Sequence, residues 1–256
     1  MSNIRYNIYP TMLDAFQIYL DADARAEEWW NIDEVGNYRH TPQELAECAE
    51  QELIDTINRC REFDTTLADR GTLFNNIVDE MIKEEYAGSD TVEQRTLNGH
   101  TFNFDVKMAK GIANMMPGAE CQQPVSATIE TRHGDVNLYG YVDYWWRDTV
   151  IDLKTTSRYD FGKYANHWQR YLYPYCLCKN GCDVSWFQFV VVLMKEKKST
   201  GVIEGEIYTE FYNHYQAIAE SKLRNICELF IEFLEGKREL ITNKKIFNEH
   251  ELLRTN

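Results

Sequence analysis

The apolar residues of the chain recur at two different periods, and the switch between them divides it. In residues 9–30, "YPTMLDAFQIYLDADARAEEWW", Met12, Leu13, Phe16, Tyr19 and Leu20 recur at helical spacing. Residues 41–63 open with Thr41 as a cap, Pro42 at the first helical position and Glu44 three residues after the cap. That is the pattern by which side chains satisfy the free N–H groups at a helix start. Residues 65–88 predict another helix or helix pair ending near Gly88, and residues 103–118 a short helix stopped by Pro117 and Gly118.

The period then shortens to two. Residues 120–130, 135–146, 149–156 and 184–194 are rich in Val, Ile and aromatics and read as strands. Residues 160–180 are too many for a turn and suit a crossover helix, so a β-meander is followed by a strand–helix–strand unit and the sheet is mixed. Residues 203–212 offer one more strand, and residues 214–236 form an amphipathic helix ending at Gly236. "KEKK" at 195–198 reads as a loop, and Trp145 and Trp146 as packing residues. No repeat, low-complexity tract or Pro/Gly-rich linker interrupts the chain. The fold class is α/β, a central mixed β-sheet flanked by helices, with a helical N-terminal part at 1–66 and the core at 67–256 in one compact domain.

Composition narrows the function classes. No stretch reaches the apolar length needed to cross a bilayer, and "MSNIRYNIYP" lacks a signal peptide's apolar core. Seven scattered cysteines suit reduced thiols in a cytoplasmic protein better than a disulfide framework. The net charge of −14 argues against general affinity for nucleic acid, but it is unevenly spread. Residues 1–100 hold 21 acids against 8 bases, and the rest is close to neutral. Between Asp152 and Arg170 the chain is locally basic, with Lys154, Arg158, Lys163 and Arg170 against two acids.

The stretch "GYVDYWWRDTVIDLKTT", residues 140–156, sets charges among buried-strand residues. If Arg147 and Asp148 form a tight hairpin tip, residues whose numbers sum to 295 face each other, and Asp143 stands opposite Asp152. Strand alternation puts Asp152 and Lys154 on one face and Ile151 and Leu153 on the other. Two carboxylates and an ammonium then converge on one spot of one sheet face. Carboxylates that close repel unless a cation sits between them, and Mg²⁺ favours hard oxygens while keeping several waters. Such a cation leaves positions for a phosphate oxygen and a water, and a lysine beside it can orient or help deprotonate the water, or stabilise phosphoryl charge. The chemistry this suits is metal-dependent phosphodiester hydrolysis.

Gly140-Tyr-Val-Asp143 and Asp152-Leu-Lys154, followed by Gln169 and Tyr173 one helical turn apart in "HWQRYLYPY", resemble three motifs of the PD-(D/E)XK nucleases, specifically the RecB-like exonuclease branch. The resemblance covers residues 67–195 and implies a restriction-endonuclease-like core. It implies Mg²⁺ or Mn²⁺ held by Asp143, Asp152 and the Leu153 carbonyl, with Lys154 acting on the water and Gln169 and Tyr173 holding the substrate strand. The family's Gly-x-x-x-His is matched in frame by Gly71, with Asn75 in the histidine's place and Asp79 one turn on, and Glu120 is a further acid near the first strand. Arg158 and Arg170 are candidate phosphate contacts, or simply part of a solvated face. Some members hold an iron–sulfur cluster; here Tyr19 replaces its first cysteine and "CLCKNGC" has no suitably spaced fourth partner, so none is expected.

A stand-alone member resembles the DNA exonucleases of phage recombination and repair, which implies DNA as substrate, a single-strand annealing protein as partner and a possible homo-oligomer. Two alternatives stay open. One is a degenerate nuclease fold serving as a DNA- or protein-binding module; the other is a structure-specific endonuclease or an RNA-acting enzyme. Taken singly, Asp143, Asp152 and Lys154 could each be an exposed charge on the wet face of a hairpin.

Overall fold

The computed structural model describes residues 4–25, 27, 28, 31–60 and 64–248. The parts of the first two predicted helices at 26, 29, 30 and 61–63 lie outside the described residues. One eight-stranded mixed sheet runs through the protein with helices on both faces.

Strand β1 (Ile4–Ile8) leads into α1 (Pro10–Leu20) and a single turn, α2 (Ala22–Arg25). The helix read through residue 30 therefore stops at Leu20 and restarts briefly. Helix α3 (Pro42–Asn58) begins as its sequence dictates: Glu44 N–H donates to Thr41 Oγ1 at 3.2 Å and Thr41 N–H donates back to Glu44 at 2.8 Å. Helix α4 (Thr66–Ile82) is one helix. Then come β2 (Val92–Leu97), β3 (His100–Asp105), α5 (Val106–Met115), β4 (Glu120–Thr131), β5 (Gly134–Trp146), β6 (Thr149–Thr156), α6 (Gln169–Lys179), β7 (Trp186–Lys197), β8 (Val202–Asn213) and α7 (Gln216–Gly236).

Three strands escape the sequence reading. β1 joins the sheet parallel to β5, so the N-terminal part is not purely helical. β2 and β3 form an antiparallel hairpin around Asn98-Gly99, both at positive φ, and β3 then lies parallel to β8. The "KEKK" segment is also corrected: Lys195–Lys197 continue β7 and pair with Val202–Glu204 of β8. Its charges alternate on an exposed ladder end, which obscures the strand period in the sequence.

The strand–helix–strand unit forms as expected, with β6 parallel to β7 over eight paired positions and α6 as the crossover. β7 is buried on both faces, as a central strand should be. Phe187, Phe189 and Val191 face one core with α1, α6 and α7, while Val190, Val192 and Met194 face a second with α4 and α5.

Two glycines let helices close on the strands that carry the charged stretch. A Cβ on Gly140 of β5 would lie 2.7 Å from Tyr173 Cε1 of α6. A Cβ on Gly71 of α4 would lie 2.8 Å from Thr155 Oγ1, the residue after Lys154. Gly140→Ala should therefore lower stability by about 1–3 kcal/mol, the range for overpacking, read as a lower urea midpoint. An unchanged midpoint would mean that α6 does not approach β5 this closely.

Candidate active site

The β5–β6 hairpin turns at Arg147, whose φ is 57°, and its ladder has the expected register: Trp146 faces Thr149, Trp145 faces Val150 and Tyr144 faces Ile151. At the next position, Asp143 and Asp152, the regular pairing ends. The Leu153 N–H donates to Asp143 Oδ2 at 2.9 Å, so a side chain takes a backbone donor at the point where the ladder gives out. Ile151 and Leu153 pack into the core beneath α4 and α5, which turns Asp152 and Lys154 toward α6.

Asp152 is only 2 % exposed. Its Oδ2 meets Lys154 Nζ at 2.7 Å, an ion pair whose geometry is not that of an aligned hydrogen bond. The same ammonium donates to Gln169 Oε1 at 2.7 Å, so the first residue of α6 fixes the lysine. Burial would lower the Lys154 pKa, but Asp152 first, then Asp143 and Asp14, outweigh it and hold it above the usual lysine value. Burial, then the Asp152 charge, push the Asp143 carboxyl up to about 7. Tyr173 is buried beside Gly140, and burial raises its phenol.

Sequence reasoning missed two members of this cluster. Asp14 of α1 accepts the Trp168 N–H at 2.8 Å and lies 3.5 Å from His167 Nδ1. Burial raises Asp14, against the Trp168 bond and His167, and burial lowers His167 against the Asp14 charge. The charges of Asp152 and Lys154 bear on both residues. The one hint in the sequence was an aspartate between Leu13 and Phe16 on the buried stripe of α1.

On the opposite side α4 reaches the hairpin through Tyr144, whose hydroxyl donates to Asn75 Oδ1 at 2.8 Å. Asp79 lies against the same hydroxyl, and burial raises its carboxyl. Asp79 Oδ1 is buried without a hydrogen-bond partner, and its charge adds to the pressure on Asp143.

The remaining candidates stand apart from the cluster. Glu120 is exposed at the start of β4, in register with Trp145; the β4 residue between those facing Tyr144 and Val142 is Gln122. Arg158 is exposed on a loop tied by the Thr156 hydroxyl and by Lys163, both donating to its carbonyl. The Arg170 guanidinium sits 4.0 Å over the Tyr212 ring and donates to the Ala165 carbonyl at 2.7 Å, in a separate groove. In "CLCKNGC", Cys176 is buried and packs by Leu138, and all seven cysteines are free thiols.

Among the described residues, no three His, Cys, Asp or Glu side chains are placed together to hold a metal ion. The donor chemistry still suits a hard divalent cation. Asp152 is buried and Asp143 half-buried beside it, burial first and then the Asp152 charge raising the Asp143 carboxyl, and a cation held by one or two carboxylates retains waters in its other positions. Among the described residues no helix is long and apolar enough to cross a membrane.

No protein-family model matches the chain, and no curated protein does. A crystal structure of SSO0001 is similar at 11% identity and a TM-score of 0.40, covering 90% of this chain and 79% of that one. A likeness that distant does not bear on function.

The raised Asp143 carboxyl links stability to pH. Its folded value of about 7 lies above its ordinary value of 3.8, so between these the folded chain binds more protons than the unfolded one. Stability contributed at this position falls as pH rises through that window. Asp143→Asn should therefore gain stability relative to the parent as pH rises from 5 to 8, in urea unfolding at both pH values. An equal effect at the two would contradict the shift.

Proposed function

We propose that the protein is a metal-dependent deoxyribonuclease of the PD-(D/E)XK type with a RecB-like arrangement, acting as a DNA exonuclease. The observation that carries this reading is the meeting of Asp143, Asp152, Lys154 and Gln169 where the β5–β6 ladder ends. Buried like charges are expensive, and a structural role would not need two carboxylates there.

Asp143 and Asp152 would hold Mg²⁺ or Mn²⁺, which would supply Lewis acidity toward a phosphate oxygen and a water. Lys154, held by Asp152 and Gln169, donates hydrogen bonds from its ammonium. It orients the water or offsets charge growing on the phosphoryl oxygens. Gln169 holds that ammonium in place, and Tyr173, pressed on Gly140, sets α6 against β5. His167, backed by Asp14, adds an imidazole to the same wall.

The resemblance of the motifs to phage-type recombination and repair exonucleases extends the proposal to a single-strand annealing partner and a homo-oligomer. A second reading, a nuclease fold kept as a binding module, draws on Asn75: its amide oxygen is already engaged by Tyr144.

The test is digestion of linear duplex, closed circular duplex and single-stranded DNA with Mg²⁺, Mn²⁺ or EDTA. Metal-dependent loss of linear DNA with circles spared is expected, and Lys154→Ala should cut the rate about 100-fold or more. Cleavage of circles would make the enzyme an endonuclease. No cleavage by well-folded protein in any metal would contradict the proposal and favour the binding module.

A further inference from the structure

The segment between Lys154 and Gln169 leaves the sheet and returns, and the 2.7 Å hydrogen bond between these two residues closes it. Both of its ends therefore meet at the charged cluster, as the ends of a compact surface loop do. A buried carboxylate fixes its middle. Glu210 of β8 is 2% exposed and accepts from the Tyr159 hydroxyl, the Tyr212 hydroxyl and the Gly162 N–H, the last at 2.9 Å. Burial would raise this carboxyl, but the three donors hold it below its ordinary value. Lys163 Nζ pins the base of the loop, donating to Thr156 Oγ1 at 2.9 Å and to the Arg158 carbonyl at 2.8 Å.

The clamp holds one ring in water. Phe161 and Gly162 form the centre of a turn that the Lys163 N–H closes on the Asp160 carbonyl at 3.1 Å, with Gly162 at φ 84°. Phe161 is 85% exposed, yet it stands between Tyr159 and Gly162, both bound to Glu210. A ring so exposed adds little to the core, although its place is firmly set.

The sheet register locates the clamp. Asp152 pairs with Phe189 of β7, and Phe189 pairs with Glu210. These three stand in one row on one sheet face, so Glu210 lies two strand spacings, about 10 Å, from Asp152. Lys154 Nζ stands 6.0 Å from the centre of the Phe189 ring, in the middle of that row. A stacked strand rises about 3.4 Å per nucleotide, so this distance spans about three nucleotides. The segment is also the locally basic part of an acidic chain, with Lys154, Arg158, Lys163 and Arg170 against Asp152 and Asp160. A fixed, exposed ring among cations, this close to a candidate phosphodiester site, suits an unpaired base, which stacks on aromatic side chains whatever its identity.

We propose that Phe161 stacks on a base of the substrate DNA strand within about three nucleotides of the cleaved phosphate, and that the Glu210 clamp keeps the ring there. The distance to the cleaved bond rests on the nuclease reading; the stacking on a base does not.

The test is fluorescence anisotropy of a labelled oligothymidylate and of an abasic strand of equal length, titrated in EDTA with Lys154→Ala and with Lys154→Ala/Phe161→Ala protein. Removing the ring should weaken the oligothymidylate about tenfold or more, as loss of base stacking does, and leave the abasic strand unchanged. Phe161→Trp should keep the tighter binding. Phe161 lies outside both cores, and an unchanged urea midpoint would confirm that the variant folds. No binding of the oligothymidylate, binding unaltered by loss of the ring, or an equal loss on both strands overturns the inference. So does an oligomer that Phe161→Ala turns into a monomer on a sizing column, since the ring then serves a second copy of the chain. DNA cleavage by the parent while Phe161→Ala binds normally would sink the stacking and leave the nuclease reading standing. Binding that needs both ring and base, without cleavage in any metal, would do the reverse.

Discussion

Everything about the candidate site depends on two carboxylates being forced together at the end of a strand ladder. Asp143 and Asp152 stand at the position where β5 and β6 stop pairing, and the Leu153 N–H that would serve the ladder is taken by Asp143. Burial and mutual repulsion oppose their joint ionisation. The chain answers with a single cation of its own, Lys154, and the balance is incomplete: Asp143 is driven up to about 7. That remaining negative charge is what supports the proposed cation.

The surrounding elements follow from that need. α6 must reach the sheet closely enough for Gln169 to hold the lysine, and Gly140 makes room for Tyr173 to do so. α1 contributes Asp14, which meets the backbone of Trp168 and the ring of His167, tying the N-terminal helix to the start of α6. α4 closes the other side through Tyr144, with Gly71 against Thr155 permitting the approach. Three helices therefore converge on one hairpin, and the buried strand β7 flanks it in the sheet.

Much of this was legible in the sequence because it depended on local rules. The two-residue turn at Arg147-Asp148 fixed the register, the alternation of Ile151, Asp152, Leu153 and Lys154 fixed the face, and the one-turn spacing of Gln169 and Tyr173 placed both on α6. What was not legible depended on distant contacts. β1 is the exception, since Ile4, Tyr6 and Ile8 alternate with Arg5 and Asn7 as a strand does, and β5 gives it its partner. Lys195–Lys197 are a strand because Val202–Glu204 pair with them, although their charges read as a loop. Asp14 and His167 meet across 153 positions of chain. Arg170 was correctly seen as a cation near the motif, but only the packing of β8 and α7 shows that it faces another groove.

The most direct test of the central claim is calorimetric titration of Mn²⁺ into the protein at pH 6 and pH 8, with Asp152→Asn in parallel. The account predicts cation binding that is tighter at pH 8, where Asp143 is already ionised, accompanied at pH 6 by proton release, and largely lost in the variant. Binding absent at both pH values, or unchanged when Asp152 loses its charge, would contradict the claim that these two carboxylates form a cation site.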